Sequence, residues 1–211
     1  MYVPAHFEQT DVALLHDLIR AFPLGAWVVS NDGELLVNHI PFLIDPTRGA
    51  HGTLVGHVAR ANPVWQTLSA TANAVVIFQG AQGYVSPSWY PSKHAHGKAV
   101  PTWNYAVVHA HGTPRAIEER DWLLDLVTRL TATQEARQAV PWKVTDAPAD
   151  YIERQLASIV GIEMPISKLV GKWKVSQNRP PADRLGVVAG LMARGDETSN
   201  AMAALVQKYG G

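Results

Sequence analysis

Two runs rich in β-formers flank a three-residue turn, and this arrangement restricts the fold more than any other feature of the chain. "GAWVVS" (25–30) leads into Asn31-Asp32-Gly33, and "ELLVNHIPFLI" (34–44) follows. Asp-Gly between two such runs signals a hairpin, because glycine accepts the positive φ that a tight turn demands. Strands joined this way are antiparallel, since a parallel crossover needs a dozen or more residues. Further strand-like runs follow at 52–59, 73–80, 102–111 and 160–177.

Helical patterns lie between and beyond these runs. "TDVALLHDLIRAF" places Val12, Leu15, Leu18 and Ile19 on one face, with Thr10 or Asp11 as cap and Pro23 as stop. "NPVWQTLSA" reads as a short helix capped by Asn62, with Pro63 first. In "AIEERDWLLDLVTRLTATQEAR" the stripe is Trp122, Leu123, Leu126, Val127 and Leu130. "DAPADYIERQLASI" suggests a helix capped by Asp146, and two more span 182–193 and 197–209 around Gly195. The proline-rich segment Ser86–Lys93 reads as a stiff loop. About six strands with interspersed helices predict an α+β fold around a mainly antiparallel sheet or barrel. The expected organisation is one domain over 1–180 and a helical appendage over 181–211.

Composition removes several classes of function. The 18 basic and 18 acidic residues cancel, so a globally basic nucleic-acid surface is absent and DNA contact would need a local patch or a dimer. No apolar run approaches the roughly 18 residues of a membrane span. "MYVPAHFEQTD" lacks the regions of a signal peptide, which makes cytoplasm the default expectation. With no cysteine there is no thiol catalysis and no Cys-based metal site. Gly-rich phosphate loops, nucleophile elbows and a helical His-Glu-x-x-His are also missing.

Three constellations remain. His109 and His111 share a strand face, and His94 and His96 lie in the preceding segment; such pairs can bind zinc, iron or haem, or simply be polar side chains on an edge and a loop. In "VGHVARANPVW" (55–65), Arg60 stands where a strand hands over to a helix start, a sound phosphate cradle to which His57 could add a donor. The plain alternative is an ordinary turn with an exposed arginine. Third, "GKAVPTWNY" and "GKWKVSQNR" each join lysine to tryptophan. Lys172 and Lys174 fall on one strand face and Trp173 on the other, so one face suits a ligand and the other a core. Around them, "YVSPSWYPSKHAHGKAVPTWNY" (84–105) concentrates rings and cations that suit a flat ring with an anionic tail.

Several of these stretches resemble, in order, the motifs of the PaiB family, described as FMN-binding negative transcriptional regulators. They are "MYVPAHF", "NHIPFLI", "GHVARANPVW", "YVSPSWYPSK", "GKAVPTWNYAVVHAHG", "DAPADYIERQLASIVGIEM" and "GKWKVSQNR". The likeness runs from Met1 to about Gly190. It implies the flavin-binding split barrel of the pyridoxamine-phosphate oxidases, here with six strands and peripheral helices, and a homodimer holding FMN near the subunit interface. By motif, Arg60, His57 and Asn62 fall where that fold receives the flavin phosphate, and Asn38 and His39 where strand backbone lines the isoalloxazine ring. Likeness to the family as a whole adds Lys98, Thr102, Trp103, Lys172, Gln177 and Asn178. Besides the regulator, the fold admits an FMN-dependent oxidoreductase or oxidase of a small metabolite, and a haem-binding protein using the histidines. The helices at 182–193 and 197–209 look superficially like a helix-turn-helix, but the second carries only Lys208 as a cation, which favours packing over DNA contact.

Overall fold

The computed structural model describes residues 1–31, 33–68 and 73–210. In chain order the elements are β1 (Glu8–Gln9), α1 (Val12–Ala21), β2 (Leu24–Asn31), β3 (Glu34–Pro41), β4 (Leu43–Asp45), β5 (Thr53–Ala59), β6 (Asn73–Val85), α2 (Pro91–His96), β7 (Thr102–Gly112), β8 (Arg115–Ile117), α3 (Arg120–Glu135), α4 (Ala149–Ala157), β9 (Ile159–Lys174), α5 (Pro181–Met192) and α6 (Glu197–Tyr209). Short 3-10 turns occupy 5–7, 63–67, 87–89 and 144–146. The strand order is β3-β2-β6-β7-β9-β5-β4, with β1 and β8 added on β9. It is linear, so the sheet is open rather than closed into a barrel. Among the described residues six strands have seven residues or more, matching the six expected. The others, β1, β4 and β8, have two or three residues, too few to show a period in the sequence.

Two compact units divide the chain: Met1–Phe22, Phe78–His109 and Val170–Gly211 form one, Pro23–Ile77 and Ala110–Leu169 the other. In the second, β2 and β3 form the expected hairpin, with Gly33 at φ +86 in its turn. The long run after that turn breaks at Phe42, whose amide leaves the ladder for the Pro23 carbonyl at 2.9 Å. One face of β2, β3 and β6 buries Trp27, Val29, Ile40 and Val76. On β5, Val55 packs under Leu126 and Leu130 of α3 with Leu43 and Trp122 alongside, as the apolar stripe requires. Gly161 of β9 fits beneath the Trp122 ring, where a Cβ would come to 2.2 Å. Glu163, 1% exposed, meets Arg48 at 2.7 Å and Arg115 at 2.5 Å. Burial pushes its carboxyl up, but the two guanidinium groups more than offset that and hold it below the usual value.

In the first unit, Asp11 caps α1 by accepting from the amides of Ala13 and Leu14. Leu15, Leu18 and Ile19 are buried, together with Val187, Leu191, Met202 and Val206 of α5 and α6. Along β6 the buried positions switch parity at Gly80–Ala81, which turns Gln82 and Tyr84 to one side and Gly83 and Val85 to the other. Gly83 faces Leu191 and Met202.

Two local expectations change. The segment 86–93 is not an irregular loop but a 3-10 turn running into α2, because Asp183 of α5 supplies the missing cap: its carboxylate accepts from the Ser92 amide at 3.0 Å and hydroxyl at 2.6 Å. A partner ninety residues away leaves no trace in the local sequence. Asp146 does not cap α4. It closes the 3-10 turn 144–146 by accepting from the Lys143 amide, and α4 starts after Pro148.

Candidate functional site

The candidate residues fall into two groups, one in each unit. In the second unit Arg60 follows β5 directly, and the expected helix after it is a five-residue 3-10 turn, Pro63–Thr67, capped by Asn62. The Asn62 amide is used twice: Oδ1 accepts from Val64 N at 3.1 Å, and Nδ2 donates to Asn38 Oδ1 at 2.7 Å. Asn38 and Asn62 are thus brought together across the chain, while His39 is exposed. Arg60 is fully engaged. Nε donates to Ala157 O at 2.9 Å, Nη2 to Ile159 O at 3.2 Å, and Nη1 pairs with Glu118 at 2.5 Å, with the Trp65 ring 5.8 Å below. A phosphate at this guanidinium would have to displace Glu118. His57, opposite Gly161 in the β5–β9 ladder, has a buried Nδ1 with no hydrogen-bond partner. Burial holds its pKa below the usual imidazole value, so the ring favours the neutral form.

The first unit assembles the rings and cations of 84–105 and 171–179. Lys172 is 8% exposed. Its ammonium donates to Tyr2 O at 3.1 Å and lies 5.3 Å from the centre of the Tyr105 ring and 5.7 Å from that of Tyr2. Lys174 donates to Thr102 Oγ1 and, at 2.7 Å, to Trp103 O. Burial, with Lys172 and Arg179 nearby, lowers its pKa. Arg179 stacks over Tyr90 at 4.7 Å. Among the described residues no carboxylate lies within ion-pair distance of Lys172, Lys174 or Arg179. That is the physical contrast with Arg60. Buried cations normally carry a counter-charge; these hold only neutral oxygens and π faces, worth roughly 0.5–2 kcal/mol each, and retain their attraction for an anion.

Next to them, Trp103 is held by its indole N–H donating to Gln82 Oε1 at 3.0 Å, and its ring meets Tyr84 edge-to-face at 6.2 Å. Gln177 is not available to read a ligand edge. Its amide spans its own turn, accepting from Val175 N and donating to Trp173 O, around Ser176 at φ +69. Asn104 donates to Ser176 Oγ at 2.9 Å and locks this turn from within. Lys98 and Asn178 are exposed. Sequence reasoning missed Tyr2 as a member of the cluster.

Among the described residues no three of His, Cys, Asp or Glu gather in a way that could hold a metal. The side chains of His94 and His96 lie outside the described residues. His111 is half-buried, and burial first, then Lys168, lowers its pKa.

Comparison with known proteins decides the family. The domain family described as "Putative FMN-binding domain" matches residues 1–168. The chain belongs to it. An uncharacterised protein of Emericella nidulans is 32% identical over 245 aligned residues, covering 100% of this chain and 98% of that protein. The Bacillus subtilis protein named "Protease synthase and sporulation protein PAI 2" is 28% identical, covering 98% of this chain and 97% of its own length. These matches bear out the PaiB resemblance. Among solved structures, the "FAD and Heme binding protein from Mycobacterium smegmatis" superposes with TM-score 0.59 at 20% identity over 79% of this chain and 73% of that one, which supports the split-barrel fold. No helix among the described residues is long and apolar enough to cross a membrane. This family member thus combines a flavin-binding domain type with an aromatic face whose cations have no carboxylate within ion-pair distance among the described residues.

Proposed function

We propose that the protein is an FMN-binding regulator of the PaiB type that acts as a homodimer and represses transcription in response to its flavin state. The observation that carries the reading is Lys172, buried beside the Tyr105 ring, together with half-buried Lys174 on Thr102, neither with a carboxylate within ion-pair distance among the described residues. FMN is a flat ring with a phosphate tail. The lysines and the Thr102 hydroxyl suit the phosphate, and Trp103 and Tyr105 suit the ring. When bound, the flavin would supply a one- or two-electron redox couple; the chain's own residues hold and orient it. The apolar outer face of β2–β3, with Leu35 and Val37 exposed, supports the dimer. Regulation rests on the family relationship. The α5–α6 pair supports it weakly as a direct DNA contact, since α6 buries Ser199, Met202, Ala203 and Val206 and carries only Lys208 as a cation.

The test begins with the visible spectrum of the purified protein and titration with FMN. Flavin absorption in the pure protein, or FMN binding, is the expected result. Lys172→Met and Lys174→Met should each weaken FMN by about tenfold, the value of one charge-assisted bond. Unchanged affinity in both variants would remove the lysine pair from the site, and failure of the native protein to take up any flavin would end the reading. For regulation, a mobility-shift titration of the protein's own upstream DNA should show salt-dependent binding that changes with FMN. Rapid turnover of bound flavin by NAD(P)H and oxygen, with no DNA shift, would instead favour the oxidoreductase.

A further inference from the structure

Beside the lysine pair, the first unit carries a second arrangement of rings and charge, which shares only Trp103 with the flavin reading. Arg194, exposed just after α5, lies over two rings at once: its guanidinium carbon is 5.0 Å from the centre of Trp89 and 5.9 Å from that of Tyr84. Tyr84 is 38% exposed and Trp103 is 48% exposed. Their planes meet edge-to-face at 64°, with both rings partly open to solvent. Two of the three rings are fixed. The Trp103 indole is held by Gln82, and Trp89 is seated on α5, where a Cβ on Gly186 would meet the Trp89 main chain and one on Gly190 its ring.

The charge of Arg194 is only lightly engaged, its guanidinium adding to the forces that hold the Asp196 carboxyl below its usual value. Among the described residues no carboxylate lies within ion-pair distance of it. The acid nearest in sequence, Asp196, is occupied in capping α6, where it accepts from the Ser199 amide at 2.8 Å and hydroxyl at 2.7 Å. A guanidinium stacked on rings keeps its in-plane N–H groups free for a planar or phosphate acceptor. Fixed rings at an angle, an amide at their edge and an unpaired arginine are what a nucleobase with an attached phosphate needs. The base stacks on a ring face, and the phosphate meets the arginine.

We propose that the Tyr84–Trp89–Trp103–Arg194 shelf binds an adenosine 5′-monophosphate unit, either as a free nucleotide or as the adenylate half of a dinucleotide. The proposal deepens the flavin reading by extending the ligand class, but stands or falls on its own probe. AMP titrated into the flavin-free native chain should quench tryptophan emission with saturation. Adenosine, without the phosphate, should bind about tenfold more weakly, as should AMP to Arg194→Gln and to Tyr84→Leu. FMN affinity of Arg194→Gln should stay within about twofold of native, since Arg194 is not among the residues assigned to the flavin. AMP binding without FMN binding would sink the flavin reading and leave the shelf standing. The sources separate on one comparison. If FAD binds more tightly than FMN and Arg194→Gln abolishes the difference, the adenylate belongs to a dinucleotide; if AMP still binds the FMN-loaded protein and FAD has no advantage, it is a free nucleotide. No saturable AMP binding to the native chain, or equal AMP affinity in native, Arg194→Gln and Tyr84→Leu proteins, would overturn the proposal.

Discussion

At the scale of single residues, the same side-chain type has opposite meanings according to its partners. Arg60 looked in sequence like the anion anchor, yet Glu118 and two main-chain carbonyls already bind it. Lys172, which shares a strand face with Lys174 in the sequence pattern, is buried with no carboxylate within ion-pair distance among the described residues. His57 makes the point through pH. Its folded-state pKa is depressed by burial, so the unfolded chain binds the proton more readily. Stability therefore rises with pH across that window: it is complete above the unfolded value near 6.5 and declines as pH falls towards the folded value. In urea titrations between pH 7.5 and 5.5, the native protein should lose more stability than His57→Gln. The difference should be at most about 1.4 kcal/mol per pH unit, the limit for one proton. Equal pH slopes for the two proteins would show that His57 is protonated alike in both states. His111, depressed in the same direction, should leave a residual slope in the variant.

At the scale of elements, packing between segments remote in sequence decides what local pattern cannot. Helix α5 shows this. Its Gly186 and Gly190 lie one turn apart, and a Cβ on the first would reach 1.9 Å from the Trp89 carbonyl oxygen, on the second 2.2 Å from the Trp89 ring. An exposed helical glycine replaced by alanine normally gains stability; here the sign reverses. Gly190→Ala should cost about 1–3 kcal/mol, the usual penalty of overpacking, measurable as a lowered urea midpoint with unchanged m. Gly186→Ala should cost more, because it meets main chain. A gain of stability in either would mean that Trp89 does not sit on α5. These contacts also mark the limit of what was legible. The hairpin, the six long strands, the α1 and α3 stripes and the two C-terminal helices could be read because each obeys a local period. The capping of α2 by Asp183, the short strands β4 and β8 and the engagement of Arg60 could not, because each depends on a partner or a length that periodicity does not report. In the candidate site, residue types and the shared face of Lys172 and Lys174 were readable. Which cations kept their charge uncompensated was not.

At the scale of the whole molecule, the question is what covers the outer face of the β2–β3–β6 sheet. Its inner face is filled by Trp27, Val29 and Val76, while alternation sends Val28, Leu35, Val37 and Ile77 the other way. Leu35 is 70% exposed and Val37 is 56% exposed, side by side on one strand with Val28 opposite Val37. Fully burying a side chain of this kind is worth about 1.5–3 kcal/mol, and a two-fold axis through the patch would count each one twice, since an isologous interface presents the same residues from both copies. This is the physical basis for the proposed homodimer. Leu35→Glu combined with Val37→Glu places charge on that surface from both copies. Light scattering coupled to size exclusion should find the native chain dimeric and the double variant monomeric, with affinity reduced by roughly a hundredfold or more. Because both positions are exposed within the protomer, circular dichroism and the urea midpoint of the monomer should stay within about 0.5 kcal/mol of the isolated native fold. A native protein that runs as a monomer, or a double variant that dimerises as before, would move the partner surface away from this sheet and return the exposed valine and leucine to ordinary solvent contact.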